Sequence, residues 1–206
     1  MPLLPLSEGL SLFLLALAAL LAARLVWVLP CSGCRARSRG RRQAAASLLY
    51  VLGSGGHTAE MLSLLSALPR AQFWPRTAVA ADTDVTSEAR ARAAGALGAR
   101  ARLLRIPRAR EVGQPAATAI LSTCRACLVA LRLVAAVRPD VLLVNGPGTC
   151  VPVALAALGL NLLGLTDCRI VFVESICRVQ SLSATGRLMY WLADAVHVQW
   201  PELHRR

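Results

Sequence analysis

The chain contains no lysine: all 23 of its basic residues are arginine. Its positive surface is therefore made only of planar guanidinium forks, a geometry suited to phosphate oxygens. Acidic residues are also scarce, 11 in all, which leaves a net charge of +12. A surface this basic serves nucleic acid, anionic lipid or phosphorylated substrates. Aromatic residues make up only 4% of the chain, too few for the stacking platform of single-strand binders, so nucleic acid is set aside. The seven cysteines are an odd number in a chain too large for a disulfide-stapled scaffold. Cys31/Cys34 and Cys124/Cys127 have the spacing of zinc ligands but lie about 90 residues apart. One pair adjoins an apolar segment and the other falls inside a helical pattern. Reduced, mostly buried cytosolic thiols are expected, with no metal and no cofactor.

What is present is organised around residues 48–60, Leu48-Leu49-Tyr50-Val51-Leu52-Gly53-Ser54-Gly55-Gly56-His57-Thr58-Ala59-Glu60. An apolar run long enough for one buried strand ends in a glycine turn, and a helical pattern follows. That order aims backbone N–H groups and the positive end of a helix dipole at one spot. Glycine there permits φ > 0 and lets a phosphate approach the backbone. Gly53, Ser54, Gly55 and Gly56 are therefore candidate anion-binding residues, the alternative being a tight turn that binds nothing. A dinucleotide fingerprint would need a third glycine at position 58, where Thr58 stands, and has no place for His57.

The hydrophobic fraction of 56% and mean hydropathy of +0.54 predict a membrane segment. Residues 9–29 supply it: about 21 residues span a bilayer at ~1.5 Å each. Arg24 lies about one turn from the end and is expected to snorkel to the headgroups, with Trp27 at the interface. A cleaved signal peptide would carry positive charge before its apolar core; here Glu8 precedes it and the arginines follow. Arg35, Arg37, Arg39, Arg41 and Arg42 form a basic collar that predicts a cytosolic domain and holds it to anionic lipid. The expected organisation is a short lumenal N-terminus (1–8), a single transmembrane helix (9–29), a basic linker (30–46) and a cytosolic domain (47–206). Acylation of Cys31 or Cys34 would suit their juxtamembrane position.

Beyond the anchor, strand patterns at 48–52, 76–81, 101–106, 140–144, 169–173 and 195–199 alternate with helical patterns at 58–68, 85–96, 116–137, 150–163 and 183–193. Such alternation predicts an α/β, Rossmann-like domain with a parallel sheet and right-handed crossovers. The segments 116–137, with Arg125 and Arg132 on one face, and 150–165 are expected to cover the sheet rather than span a membrane. In open sheets of this class ligands bind beyond the carboxyl ends of the strands.

Polar residues stand at those ends. Asp82 and Asp84 follow the second strand, with Asp84 or Thr83 also able to cap a helix. Arg108 and Arg110 follow the third. Asn145, Gly146, Gly148 and Thr149 form a second glycine turn after the fourth, suited to an anion or a sugar hydroxyl. Glu174 follows the fifth, where a carboxylate needs a partner or a task; Arg178 is the candidate partner.

These motifs resemble the family of membrane-anchor subunits of the eukaryotic transferase that adds the second N-acetylglucosamine to the dolichol-linked oligosaccharide. The stretches that carry the resemblance are GSGGHTAEM (53–61), ADTD (81–84), RIPRAREV (105–112), RPDVLLVNGPGTCVP (138–152), VFVESICRVQSLSATG (171–186) and VQWP (198–201). Together they cover about 48–203.

The resemblance implies the N-terminal, acceptor-binding half of a GT-B glycosyltransferase, similar to the bacterial peptidoglycan enzyme that acts on a lipid-linked sugar. A separate soluble catalytic subunit would bind UDP-N-acetylglucosamine and be recruited to the cytosolic face of the endoplasmic reticulum and the continuous nuclear envelope. The acceptor would be GlcNAc-pyrophosphate-dolichol, and this chain alone would be inactive. A general base is then required; the candidates are His57, which is favoured, Glu174 and Asp82. Family members carry a tail past Gln-Trp-Pro that helps to dock the catalytic subunit, whereas this chain ends at Arg206, so weaker partner recovery is expected. The alternatives are a pure recruitment protein and a membrane-bound, nucleotide-dependent enzyme.

Overall fold

The computed structural model describes residues 6–29, 44–97, 102–109 and 116–204. The collar arginines 35–42, Cys31, Cys34 and Arg110 lie outside the described residues. Helix α1 (Leu6–Val28) precedes an alternating series: β1 (Ala46–Val51), α2 (Gly56–Ala67), β2 (Phe73–Ala81), α3 (Val85–Ala93), β3 (Arg102–Ile106), α4 (Ala116–Val137), β4 (Val141–Val144), α5 (Cys150–Leu162), β5 (Arg169–Val173), α6 (Ala184–Leu192), β6 (Ala195–His197) and α7 (Pro201–His204).

All six strands are parallel, in the order β3-β2-β1-β4-β5-β6. Alternate residues of a strand face opposite sides of the sheet, and this divides the core in two. Leu49, Val51, Val79, Leu142, Val144, Ile170 and Phe172 pack with α4, α5 and α6. Leu48, Tyr50, Leu52, Ala78, Ala80 and Leu143 pack with α2 and α3. Covered on both faces, the strands read as continuous apolar runs instead of alternating ones.

The sheet grows outward from β1 through β2 to β3, then α4 carries the chain back so that β4 lies on the other side of β1. The topological switch therefore lies between β1 and β4, and the two glycine turns leave adjacent strand ends there. At the opposite, amino-terminal end the same strands are clamped: Asp140 Oδ2 accepts from both Ser47 N and Ser47 Oγ at 2.8 Å.

Residues Glu8–Val28, 21 in number with mean hydropathy 2.3, form a helix long and apolar enough to cross a membrane. Ile120–Val137 in α4 passes the same length and composition test, but its Ala126, Ala130 and Val134 are fully buried. The last two belong to the sheet core, so α4 covers the sheet as expected. Arg24 departs from expectation. Its Nε donates to Leu162 O at 3.2 Å and its Nη2 to Asn161 O at 2.9 Å. The guanidinium caps the carbonyl end of α5, where a cation complements the helix dipole, instead of reaching toward headgroups. With Val28 1% exposed, the end of α1 is docked on the domain.

Candidate functional site

Helix α2 begins at Gly56, two residues earlier than the sequence pattern places it, because Gly55 turns the chain alone at φ 68°. His57 consequently sits in the first turn of the helix. The turn before it is braced from beneath. Thr58 Oγ1 donates to Gly53 O, Ser87 Oγ lies 2.6 Å from Thr58 Oγ1 and 2.9 Å from Gly53 O, and Asp84 Oδ2 lies 2.6 Å from Ser87 Oγ. Asp84 also caps α3 through Ser87 N at 3.0 Å, so the capping reading of the second carboxylate holds. Thr58 thus fills with a buried hydroxyl network the position where a dinucleotide fold keeps glycine.

Above the turn, Ser54, Gly55 and Gly56 are exposed, and a Cβ placed on Gly55 or Gly56 would meet nothing. Arg90 Nη1 donates to Gly55 O at 3.1 Å. Backbone N–H groups at the start of a twelve-residue helix can then receive an anion.

The second turn packs against the first. A Cβ on Gly53 would lie 2.5 Å from Pro147 Cγ and 3.1 Å from His57 Cβ. Gly53→Ala is accordingly expected to cost about 1–3 kcal/mol through overpacking, measured as a lower melting temperature of the full chain in detergent; an unchanged melt would show that Pro147 can retreat. Gly146, at φ 61°, lies under the imidazole: a Cβ there would be 2.7 Å from His57 Nδ1. Asn145, 1% exposed, donates from Nδ2 to His57 O at 2.8 Å, while its Oδ1 has no partner. Thr149 is buried and starts α5 without a side-chain cap. Burial pushes the neighbouring Cys150 thiol up to about 12, so it stays neutral and is no nucleophile.

A cavity of about 220 Å³ opens between α2 and the ends of β4, β5 and β6, lined in part by Glu60, Asn145, Val173, Glu174, Ile176 and Gln199. Glu60 was not singled out in the sequence. It stands three residues after His57, on the same helix face, a relation visible only once α2 is known to begin at Gly56. Its Oε1 accepts from Ser175 Oγ at 2.6 Å and Ile176 N at 3.2 Å, and its Oε2 lies 3.5 Å from His57 Nδ1.

Glu174 is 1% exposed, and its partners are not Arg178. Oε1 accepts from Ser175 N at 3.0 Å, and Oε2 accepts from Ser183 N at 2.9 Å and Ser183 Oγ at 3.1 Å. Ser183 in turn caps α6 through Gly186 N. The Arg178 guanidinium is on an exposed turn.

The switch point thus brings together His57, the first glycine turn and the second. Asp82 is exposed at the end of β2, one strand away, and Arg108 is half-buried beyond β3, two strands away. Arg105 lies within β3 itself. It pairs with Glu88 and donates to Asp82 O at 3.1 Å. Cys124 and Cys127 lie on α4 as free thiols. Among the described residues no three His, Cys, Asp or Glu side chains are grouped to hold a metal ion.

The family model described as "Oligosaccharide biosynthesis protein Alg14 like" matches residues 48–206, from β1 onward. The chain belongs to the Alg14 family. Proteins named UDP-N-acetylglucosamine transferase subunit ALG14 are similar to it from several organisms. That of Homo sapiens is 41% identical over 169 residues, 78% of each chain. That of Eremothecium gossypii is 42% identical over 181 residues, 84% of this chain and 81% of the relative. That of Cryptococcus neoformans is 40% identical over 203 residues, 91% and 87%. In fold, this Alg14-family chain resembles Acinetobacter baumannii MurG with a TM-score of 0.56 at 17% identity. The likeness covers 76% of this chain and 42% of MurG, so the chain spans about two fifths of that protein. It agrees with the GT-B-type fold expected from the sequence.

Proposed function

We propose that this Alg14-family chain is the membrane-anchoring, acceptor-binding subunit of a two-subunit transferase. The transferase adds the second N-acetylglucosamine from UDP-GlcNAc to GlcNAc-pyrophosphate-dolichol. The observation that carries the proposal is the meeting of two glycine turns at the β1/β4 switch point, with His57 seated between them over Gly146. The open N–H groups of the first turn receive the acceptor's pyrophosphate. The second turn and the cavity beside it receive its sugar, and Arg108 and Arg178 add positive charge at the flanks. His57 takes the proton of the sugar 4-hydroxyl as its oxygen attacks the anomeric carbon of UDP-GlcNAc, held by a soluble catalytic subunit. The new C–O bond forms as the bond to UDP breaks, and UDP leaves with the electron pair. The product is a β1,4-linked chitobiose on the same lipid.

In this reading residues 9–29 are the anchor, 30–46 the linker and 47–206 the domain, on the cytosolic face of the endoplasmic reticulum and continuous nuclear envelope. The docking of Arg24 on α5 supports a domain held at the bilayer and not on a free tether.

The test is reconstitution of the full chain in liposomes with a soluble UDP-GlcNAc-binding partner and a short-chain acceptor lipid. Chitobiosyl lipid is expected only when both proteins are present. No product from an intact complex, or resistance of the region beyond Arg42 to protease outside sealed microsomes, would overturn the proposal.

A further inference from the structure

Two buried polar atoms face one another across the first turn of α2 and neither has a hydrogen-bond partner: His57 Nδ1 and Glu60 Oε2, 3.5 Å apart. The rest of their surroundings is held in place. The backbone carbonyl of His57 accepts from Asn145 Nδ2 at 2.8 Å, and the ring is seated against Gly146. The other carboxylate oxygen of Glu60 is tied to Ser175 Oγ and Ile176 N on the loop after β5. A small rotation of Glu60 about that tie closes the gap to hydrogen-bond distance, and contacts of this kind commonly tighten when a ligand fills the cleft.

An ionised carboxylate only accepts, so the ring nitrogen facing it must carry the proton. We propose that Glu60 is a positioning residue that fixes His57 as the Nδ1–H tautomer. Nε2 then carries the lone pair. A neutral imidazole needs one defined donor and one defined acceptor nitrogen to act as a base, and the group bonded to one nitrogen sets the role of the other. The catalytic meaning rests on the acceptor-site reading above; the tautomer does not.

The full chain, ¹⁵N-labelled at histidine and held in nanodiscs, has three histidines, and His57→Ala identifies the resonances of the first. With the ring neutral, wild-type His57 is expected to show a protonated Nδ1 and an unprotonated Nε2. Glu60→Ala is expected to move the population toward Nε2–H and to lower transfer by the reconstituted complex by about tenfold or more, part of the roughly 10²–10⁴-fold a general base contributes. Glu60→Gln, whose amide oxygen is held by Ser175 Oγ and Ile176 N and whose NH2 therefore faces Nδ1, is expected to move the tautomer toward Nε2–H and to lower transfer as alanine does. A wild-type ring protonated at Nε2, or an Nδ1–H form that persists in a folded Glu60→Ala chain, would overturn the inference while leaving the acceptor-site reading intact. Tautomer shifts as expected together with undiminished transfer by His57→Ala would keep the inference and remove that reading.

Discussion

His57→Ala is expected to lower sugar transfer by the assembled complex by about 10²–10⁴-fold, the usual contribution of a positioned general base, while the partner is recovered as before. The side chain lies in the first turn of α2 with 35% of its surface exposed, so its removal leaves no large cavity in either core cluster. Asn145 is held through the backbone carbonyl of His57, a contact that alanine keeps. Folding and recruitment should therefore survive and the chemistry should not. His57→Gln sharpens the comparison, because glutamine can hydrogen-bond but cannot accept a proton at neutral pH. The readouts are product formation with the short-chain acceptor and co-precipitation of the soluble partner from membranes. Full transfer by His57→Ala would leave this chain only an anchoring and recruiting role.

Glu174→Ala should act on stability first. The carboxylate is fully buried and receives three hydrogen bonds, two from backbone N–H groups that have no nearby substitute. Each buried donor left without a partner costs about 1–3 kcal/mol, so a total near 3 kcal/mol is expected, a large part of a typical domain's stability. Glu174→Gln should give a similar loss, since an amide nitrogen then faces donors. Arg178→Ala, on the exposed turn, should change little. Thermal melting of the full chain in detergent measures all three. Wild-type melting of Glu174→Gln with transfer abolished would instead place this carboxylate in the chemistry.

The contrast between these two residues shows how far the sequence could be read. Both stand just past a strand, both are ionisable, and each was a candidate base beside Asp82. Their environments separate them. Gly186, from a helix begun ten residues after Glu174, comes so close to the carboxylate that any side chain there would collide with it. His57 accepts at its backbone carbonyl from the side chain of Asn145, 88 residues onward and just past β4. Neither neighbour is visible in local spacing.

The primary sequence alone determined the six strands, the alternation with helices, the long apolar N-terminal helix and the position of both glycine turns. These depend on local periodicity and backbone freedom, which neighbouring residues set among themselves. Only the tertiary structure decided that the turns share one switch point, that Arg24 caps α5 and that Glu60 faces His57. The crossover through α4 carries β4 back beside β1 and makes neighbours of residues far apart in the chain, and no local pattern records that return.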